Sequence, residues 1–420
     1  MDARTRTALV VCDELPLPGY AGHTTYNRAF VQALTEAGFC VELFITGHRF
    51  RKPFFVSTEE LRIPNLRTTV PHAYNPFGDH FWVRPRGLLR LAYHRSGLKR
   101  VLQRQDKAGG KTVQIGKWLK DRHMQLALER RMAQMRPDFV LVDTIFRSPL
   151  LERVPAATTR ILIGHDVFHQ RCQALLDAGL EPAPHVSALE EAHALGLFDG
   201  VIAITEADAR SYRALCPALP VLDLPSPIAV RRAVPARTGS RRMLYIGSRA
   251  QVNVDGLAWF LESVWPSLRQ SCPGVCLDVV GSICSEIPAD FDGVTLHGRL
   301  DDFSALADAA MFAINPVRAG SGLKIKMLDY FAHGLGCLTT PAGAMGFPDA
   351  DDSPIGVCHD ERDYIASCLR WLNDLALCRQ RSGWATAYAE QFSRESFSVR
   401  LLAWFEQLPL GAQQNEMRTA

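Results

Sequence analysis

The sequence predicts an α/β fold of two Rossmann-like domains, each a parallel sheet covered by helices, facing each other across an interdomain cleft. Three observations predict it. At 420 residues the chain is long for one domain and suits two. Strand-sized apolar runs alternate with longer helical patterns in both halves. Between the halves, residues 226–240 are polar, proline-bearing and aperiodic, as a linker is. No long internal repeat relates the halves. Ligands of such an architecture bind where the carboxyl ends of the strands point.

The elements follow in order. Residues 8–12 form an apolar strand, 24–37 a helix that Gly38 caps, and 40–45 a second strand. The loop between, 13–22, lies at a strand's carboxyl end, so its glycines, Gly22 among them, are candidates to close over a ligand. Residues 139–143 and 160–163 read as strands, the second running into Gly164, His165 and Asp166. Ser187 with Glu190 three residues on is a capping box for a helix. Thr205 with Asp208 begins another. Strands at 200–204 and 221–224 complete a first domain, 1–225. The second, 241–392, has strands at 243–246, 276–280, 294–297 and 311–314, and helices at 255–271, 303–310, 363–374 and 382–391. A last helix spans 396–408.

Composition narrows the function. Hydrophobic residues make up 47% and charged residues 22%, with a net charge of +3, an ordinary globular balance that gives no reason to expect nucleic acid. The apolar run near the N-terminus is strand-sized, too short for a signal h-region, and no run of ~20 apolar residues exists, so a cytoplasmic protein is expected. Eleven cysteines without a CxxC pair read as reduced core residues. From 84 to 122, twelve Lys and Arg stand against Asp106 and Asp121, interleaved with Leu88, Tyr93, Leu98 and Trp118. Such a segment suits an anionic membrane surface or a polyanionic acceptor, and the protein is then peripheral on the inner face of the membrane. The alternative is a solvated helical insertion.

The stretch with the most chemistry is 314–347. A loop containing Gly320, Ser321 and Gly322 opens a helical pattern with Lys324, Lys326 and Asp329, ended by Gly334 and Gly336 before a strand at 337–340. A glycine loop at a helix start offers unpaired N–H groups and the positive end of the helix dipole, and lysines add full charge; a diphosphate fits. On a helix, side chains two apart diverge by about 200°, so one lysine faces the anion unless the first turn is irregular; Lys324 is nearer the loop. Asp329 accepts hydrogen bonds from sugar hydroxyls, or pairs with Lys326 at i, i+3. Gly247 permits close approach of backbone to phosphate.

These residues resemble a known family. Tyr245-Ile-Gly-Ser248, Asn253-Val-Asp255, Val280-Gly281, Leu296-His-Gly-Arg-Leu300, Gly320-Ser-Gly-Leu-Lys-Ile-Lys-Met-Leu-Asp329 and Gly343-Ala-Met-Gly346 resemble the C-terminal domain of the group 1, retaining GT-B glycosyltransferases. The loop 19–23 and Gly164-His-Asp-Val-Phe-His-Gln-Arg171 agree in the first half. The resemblance implies transfer of a sugar from a UDP- or GDP-linked donor, with no metal and no further cofactor. It implies that Lys324 and Lys326 stabilise the departing diphosphate and that Asp329 binds the donor ribose. The family's paired acid eight residues earlier falls on Ser321, which is not acidic; its N–H remains for a phosphate or the sugar, beside Gly322. Arg249 is the one cation where the family carries an Arg and a Lys. His165 contacts the donor sugar, oriented by Asp166, with His169 as second candidate. Gly298 lies in the segment that meets the base, and Gly346 frames the sugar pocket. The last helix returns to the first domain. Asp290/Asp292 and Asp349/Asp351 mimic a metal-binding DxD but lie in turn-like segments. The expected protein is a hexosyltransferase-type enzyme acting on a glycan, glycolipid or lipid-linked acceptor in polysaccharide or glycoconjugate biosynthesis. The alternatives are a nucleotide-sugar epimerase of the same fold and a non-catalytic sugar-nucleotide binding protein.

Overall fold

A computed structural model describes the chain apart from residues 1–4, 18–21, 47–54, 58–62, 64–65, 72, 78–79, 84–121, 178–184, 232–239, 320–323, 348–352 and 409–420. The basic segment 84–121 thus lies outside the described residues. Two compact units emerge, Met1–Ser226 with Phe397–Ala420, and Pro227–Ser396.

The first unit holds strands β1 (Thr7–Cys12), β2 (Cys40–Ile45), β3 (Phe55–Ser57), β4 (Arg67–Thr69), β5 (Ala73–Phe77), β6 (His80–Val83), β7 (Phe139–Asp143), β8 (Thr159–Gly164), β9 (Gly200–Ala203) and β10 (Val221–Asp223). Seven form one parallel sheet in the order β10-β9-β8-β7-β1-β2-β4, and β3, β6 and β5 form a small antiparallel sheet. Successive residues of a strand face opposite sides, and the packing follows that period. Ala8, Val10 and Cys12 join one core while Leu9 and Val11 join another. Both faces are therefore covered, which explains why the central strands read as unbroken apolar runs.

One face packs against helix α1 (Gly22–Glu36), through Tyr26, Phe30 and Leu34, and against the C-terminal helix Arg394–Gln407. Phe397, Leu401, Trp404 and Phe405 of that helix are buried in this core. Phe405 stacks on Phe139 with centroids 4.6 Å apart, and Trp404 fills the space a Cβ at Gly200 would need, 2.7 Å away. Burying each of these large side chains contributes about 1.5–3 kcal/mol, so the helix is held by apolar contact, with Arg400 adding an ion pair to Asp223 at 3.1 Å. The helix caps behave as read: Ser187 and Glu190 cap each other reciprocally, and Thr205 accepts from the Asp208 N–H.

The second unit has strands β11 (Arg242–Ile246), β12 (Cys276–Val280), β13 (Val294–Gly298), β14 (Phe312–Asn315), β15 (Cys337–Thr339) and β16 (Ile355–Val357), all parallel, in the order β13-β12-β11-β14-β15-β16. The strand β16 escaped the sequence reading because three residues carry too little pattern. The helix expected at 255–271 is interrupted: α2 (Gln251–Trp259) passes into a π turn, Phe260–Val264, and resumes at Trp265–Ser271. Pro266 accounts for this, since its ring lacks an N–H and crowds the preceding turn. The helix expected at 382–391 starts at Leu375, capped by Asp374.

Helix α3 (Ile325–Ala332) sits on the sheet through Met327, Leu328, Tyr330 and Phe331. The Tyr330 hydroxyl accepts from the Ile246 N–H at 2.7 Å and donates to the Ile314 carbonyl at 3.3 Å. It therefore pins α3 to the carboxyl ends of β11 and β14. There, too, two backbones meet. Gly281, at φ +114°, follows β12, and a Cβ on it would lie 2.1 Å from the Gly247 carbonyl oxygen. Only glycine meets both demands.

Candidate active site

The start of α3 differs from expectation. Lys324 does not lie in the first turn; it is the N-cap residue, extended at φ −87° and ψ 92°. This irregular entry, one of the two geometries open to the lysine pair, lets Lys324 and Lys326 escape strict helical divergence. Lys324 is partly buried, and burial lowers its pKa. Ser321 and Gly322 lie outside the described residues.

Lys326 is the better defined cation. Its Nζ donates to Asn253 Oδ1 at 2.9 Å and Tyr245 OH at 3.3 Å, and lies 4.7 Å from the Tyr245 ring centroid. Among the described residues no carboxylate pairs with it. Burial pushes its pKa down to about 8, with Lys324 a smaller cause. A half-buried ammonium held by neutral groups is costly unless an anion joins it.

Asn253 sits in α2, just after β11, and its Nδ2 donates to Ser248 Oγ at 3.1 Å. This is the segment where the family resemblance calls for an Arg and a Lys. Lys326 brings an ammonium to it from α3. Arg249 lies there as well, exposed, with its backbone N–H donating to Ser282 Oγ at 3.3 Å. Tyr245 and Asn253 were quoted as motif residues but not assigned a role. Their contact with Lys326 depends on β11 and β14 being neighbours, and sequence spacing does not report that.

Asp329, one turn further on, is also half-buried, and burial raises its pKa to about 6. The i, i+3 pair with Lys326 does not form, because Lys326 turns to Asn253 and Tyr245. Among the described residues the Asp329 carboxylate has no hydrogen-bond partner; its backbone carbonyl meets His333 Nδ1 at 2.8 Å. The glycines gather at strand ends. Gly247 follows β11. Gly298 ends β13 at φ +71° and accepts from the Gly281 N–H at 2.7 Å. Gly346, at φ +90°, is exposed after the short helix Pro341–Ala344. Of the DxD-like pairs, Asp292 is ion-paired with Arg269, and Asp349 and Asp351 lie outside the described residues.

The first unit presents its own polar cluster at the carboxyl ends of β1, β7 and β8. His165 follows β8, and its Nε2 lies 2.7 Å from Asp143 Oδ1. The expected partner, Asp166, is engaged elsewhere: its carboxylate accepts from Arg171 at 2.6 Å and its carbonyl from Tyr212 OH at 2.8 Å. His169 is tied to the buried Glu191, through Nδ1 and its backbone N–H, both at 2.8 Å, which makes it part of the packing. Arg147 donates to the Asp143 carbonyl at 2.6 Å, Thr144 Oγ1 at 2.7 Å and Thr46 Oγ1 at 2.9 Å, and pairs with Asp13 at 2.9 Å. Burial alone would raise the Asp143 pKa, but the contact with His165 and the Arg147 charge outweigh it and hold the carboxyl below its ordinary value. Asp143, Arg147 and Asp13 were not read as site residues, because three separate strand ends bring them together. Gly22 begins α1, near His23, whose ring centroid is 6.1 Å from that of His165.

Two Rossmann-like units with glycine-bearing strand ends define the GT-B fold class. Comparison with solved structures agrees. Sucrose-phosphate synthase from Thermosynechococcus elongatus matches at a TM-score of 0.62 and 16% identity, covering 96% of this chain and 99% of that one. Anabaena HepE in complex with UDP matches at 0.60 and 12%, covering 96% and 100%. A variant of S. aureus TarM, in complex with fondaparinux, alpha-GlcNAc-glycerol and UDP, matches at 0.60 and 10%, covering 96% and 100%. Residues 240–374, within the second unit, match the model of the family Glycosyl transferases group 1. Among curated proteins, an "Uncharacterized 44.6 kDa protein in cps region" of Klebsiella pneumoniae is 24% identical over 131 residues, 28% of this chain. The match spans 34% of that relative's length. No helix among the described residues is long and apolar enough to cross a membrane.

Proposed function

We propose that this chain is a glycosyltransferase that moves a sugar from a UDP- or GDP-linked donor to a hydroxyl of a glycan, glycolipid or lipid-linked acceptor. The observation that carries the proposal is Lys326: a half-buried ammonium at the start of α3 with no carboxylate partner among the described residues. A diphosphate supplies the missing anion. As the bond from sugar to phosphate breaks, negative charge grows on the leaving diphosphate. A cation fixed in advance stabilises that charge more than the ground state, which is what accelerates a reaction. In this reading Lys324, Lys326, Arg249 and the N–H groups of Ser321, Gly322 and Gly247 hold the diphosphate. Asp329 takes the ribose, Gly298 borders the base, Gly346 borders the sugar, and Gly22 and His165 meet hydroxyl groups of a ligand. Retention, independence of a metal and a hexosyl donor are part of the proposal. The cps-region relative accords with a role in polysaccharide biosynthesis.

A panel of UDP-, GDP- and dTDP-sugars tests this. A matched donor is expected to raise the melting temperature, since a ligand of the native state stabilises it, and to be slowly hydrolysed without acceptor. Absence of both effects for every donor sinks the proposal, and isomerisation of the sugar in place of release would favour the epimerase. For the basic segment 84–122 we propose contact with an anionic membrane surface, on composition. Charge reversal at Arg95, Lys99, Arg100 and Arg104 is expected to reduce co-sedimentation with phosphatidylglycerol vesicles; equal sedimentation would remove the membrane from the account.

A further inference from the structure

We propose that Asp143 is a positioning residue that holds His165 as the tautomer with its proton on Nε2, leaving Nδ1 to accept a hydrogen bond from a ligand hydroxyl. The ligand half of this statement rests on the function proposed above; the tautomer half does not.

The geometry leaves little choice for the proton. His165 Nε2 and Asp143 Oδ1 are 2.7 Å apart, both are sealed from solvent, and neither has another hydrogen-bond partner among the described residues. An ionised carboxylate only accepts, so the facing ring nitrogen must carry the proton. Were Nε2 bare, two lone pairs would meet in a buried site, and a buried polar atom without a partner is destabilising.

Arg147 Nη1 lies 3.9 Å from Asp143 Oδ2 and is itself fixed by Asp13, Thr46 and Thr144. Arg147 thus shares its charge between Asp13 and Asp143. Tyr26 and His23 pack edge-on around the ring at 5.6 Å and 6.1 Å, which restrains its rotation. In the tautomer with its proton on Nε2, Nδ1 carries a lone pair, and its natural guest is an O–H.

The test is His165 itself. In protein labelled with ¹⁵N-histidine, the His165 signals are assigned by their loss in His165→Gln. The wild type is expected to show a protonated Nε2 and a bare Nδ1. Asp143→Asn presents an amide that can donate as well as accept, and is expected to shift the ring toward the Nδ1–H tautomer; Asp143→Glu restores the carboxylate and the original tautomer. The same exchange of carboxylate for amide behind a catalytic histidine costs about 10⁴-fold in serine proteases, with the geometry kept. Here a fall in kcat of about 100-fold or more is expected, with nucleoside diphosphate affinity little changed. A wild-type ring protonated on Nδ1, or a tautomer unmoved in Asp143→Asn, overturns the proposal. If Asp143→Asn does not fold, the wild-type spectrum decides alone. A wild type that turns over no sugar nucleotide defeats the proposed function and leaves the tautomer result standing.

Discussion

Replacing Asp329 by Asn is expected to make the ligand-free protein more stable at pH 7.5 while weakening its hold on a sugar nucleotide. Burial raises the Asp329 pKa from 3.8 to about 6. Between those values the folded chain keeps a proton that the unfolded chain has lost. Stability therefore falls as pH rises through the window from about 4 to 6, and the full penalty persists above it. Two pKa units correspond to about 3 kcal/mol at most. Asparagine removes the ionisation and keeps the shape, so the variant's urea midpoint should exceed the wild type's at pH 7.5 and match it near pH 4. A variant destabilised at pH 7.5 would show that the carboxylate has a partner that stabilises its charge. A residue that costs stability and serves binding marks a site under functional constraint.

Lys326→Met is the second large effect. Methionine keeps most of the volume and the contact with Tyr245 while deleting the charge. Burial holds the Lys326 pKa near 8 against 10.5 for an exposed lysine. The folded chain thus pays for a buried cation below pH 8, and that cost is relieved as pH rises from about 8 toward 10.5, where the unfolded chain still holds its proton. Removing the amine should leave stability at pH 7 unchanged or higher. Nucleoside diphosphate affinity should fall about 10- to 100-fold, the worth of a charge-assisted hydrogen bond of about 1.5–3 kcal/mol. In the wild type the affinity should itself weaken as pH passes about 8, and in the variant that dependence should vanish. Loss of thermal stability together with affinity would make Lys326 a packing residue.

Much of this was readable in the sequence where the signal is local. Unbroken apolar runs located the central strands of both sheets, and Ser187 with Glu190 fixed a helix start to the residue, because a capping box is complete within four positions. Lys324, Lys326 and Asp329 were legible as a group for the same reason. What escaped was the pairing between elements distant in sequence. Asp143 ends β7 and His165 follows β8, and only the parallel register of those strands makes them partners. The nearer Asp166 was the natural guess and the wrong one, since Arg171 and Tyr212 occupy it. Lys326 was read against a phosphate, but its protein partners, Asn253 and Tyr245, come from the neighbouring strand-helix unit. Lys324 was placed inside a helix that starts one residue later, because propensity does not reveal an extended cap.

The central claim is that the start of α3 binds a diphosphate through Lys326. Calorimetric titration of the wild type and Lys326→Met, with a nucleoside, its monophosphate and its diphosphate, tests it most directly. With the base that the donor panel selects, wild-type affinity should climb from nucleoside to monophosphate to diphosphate, and the last step should collapse in the variant. Equal affinity for nucleoside and diphosphate, or a diphosphate preference that survives the loss of Lys326, would contradict it.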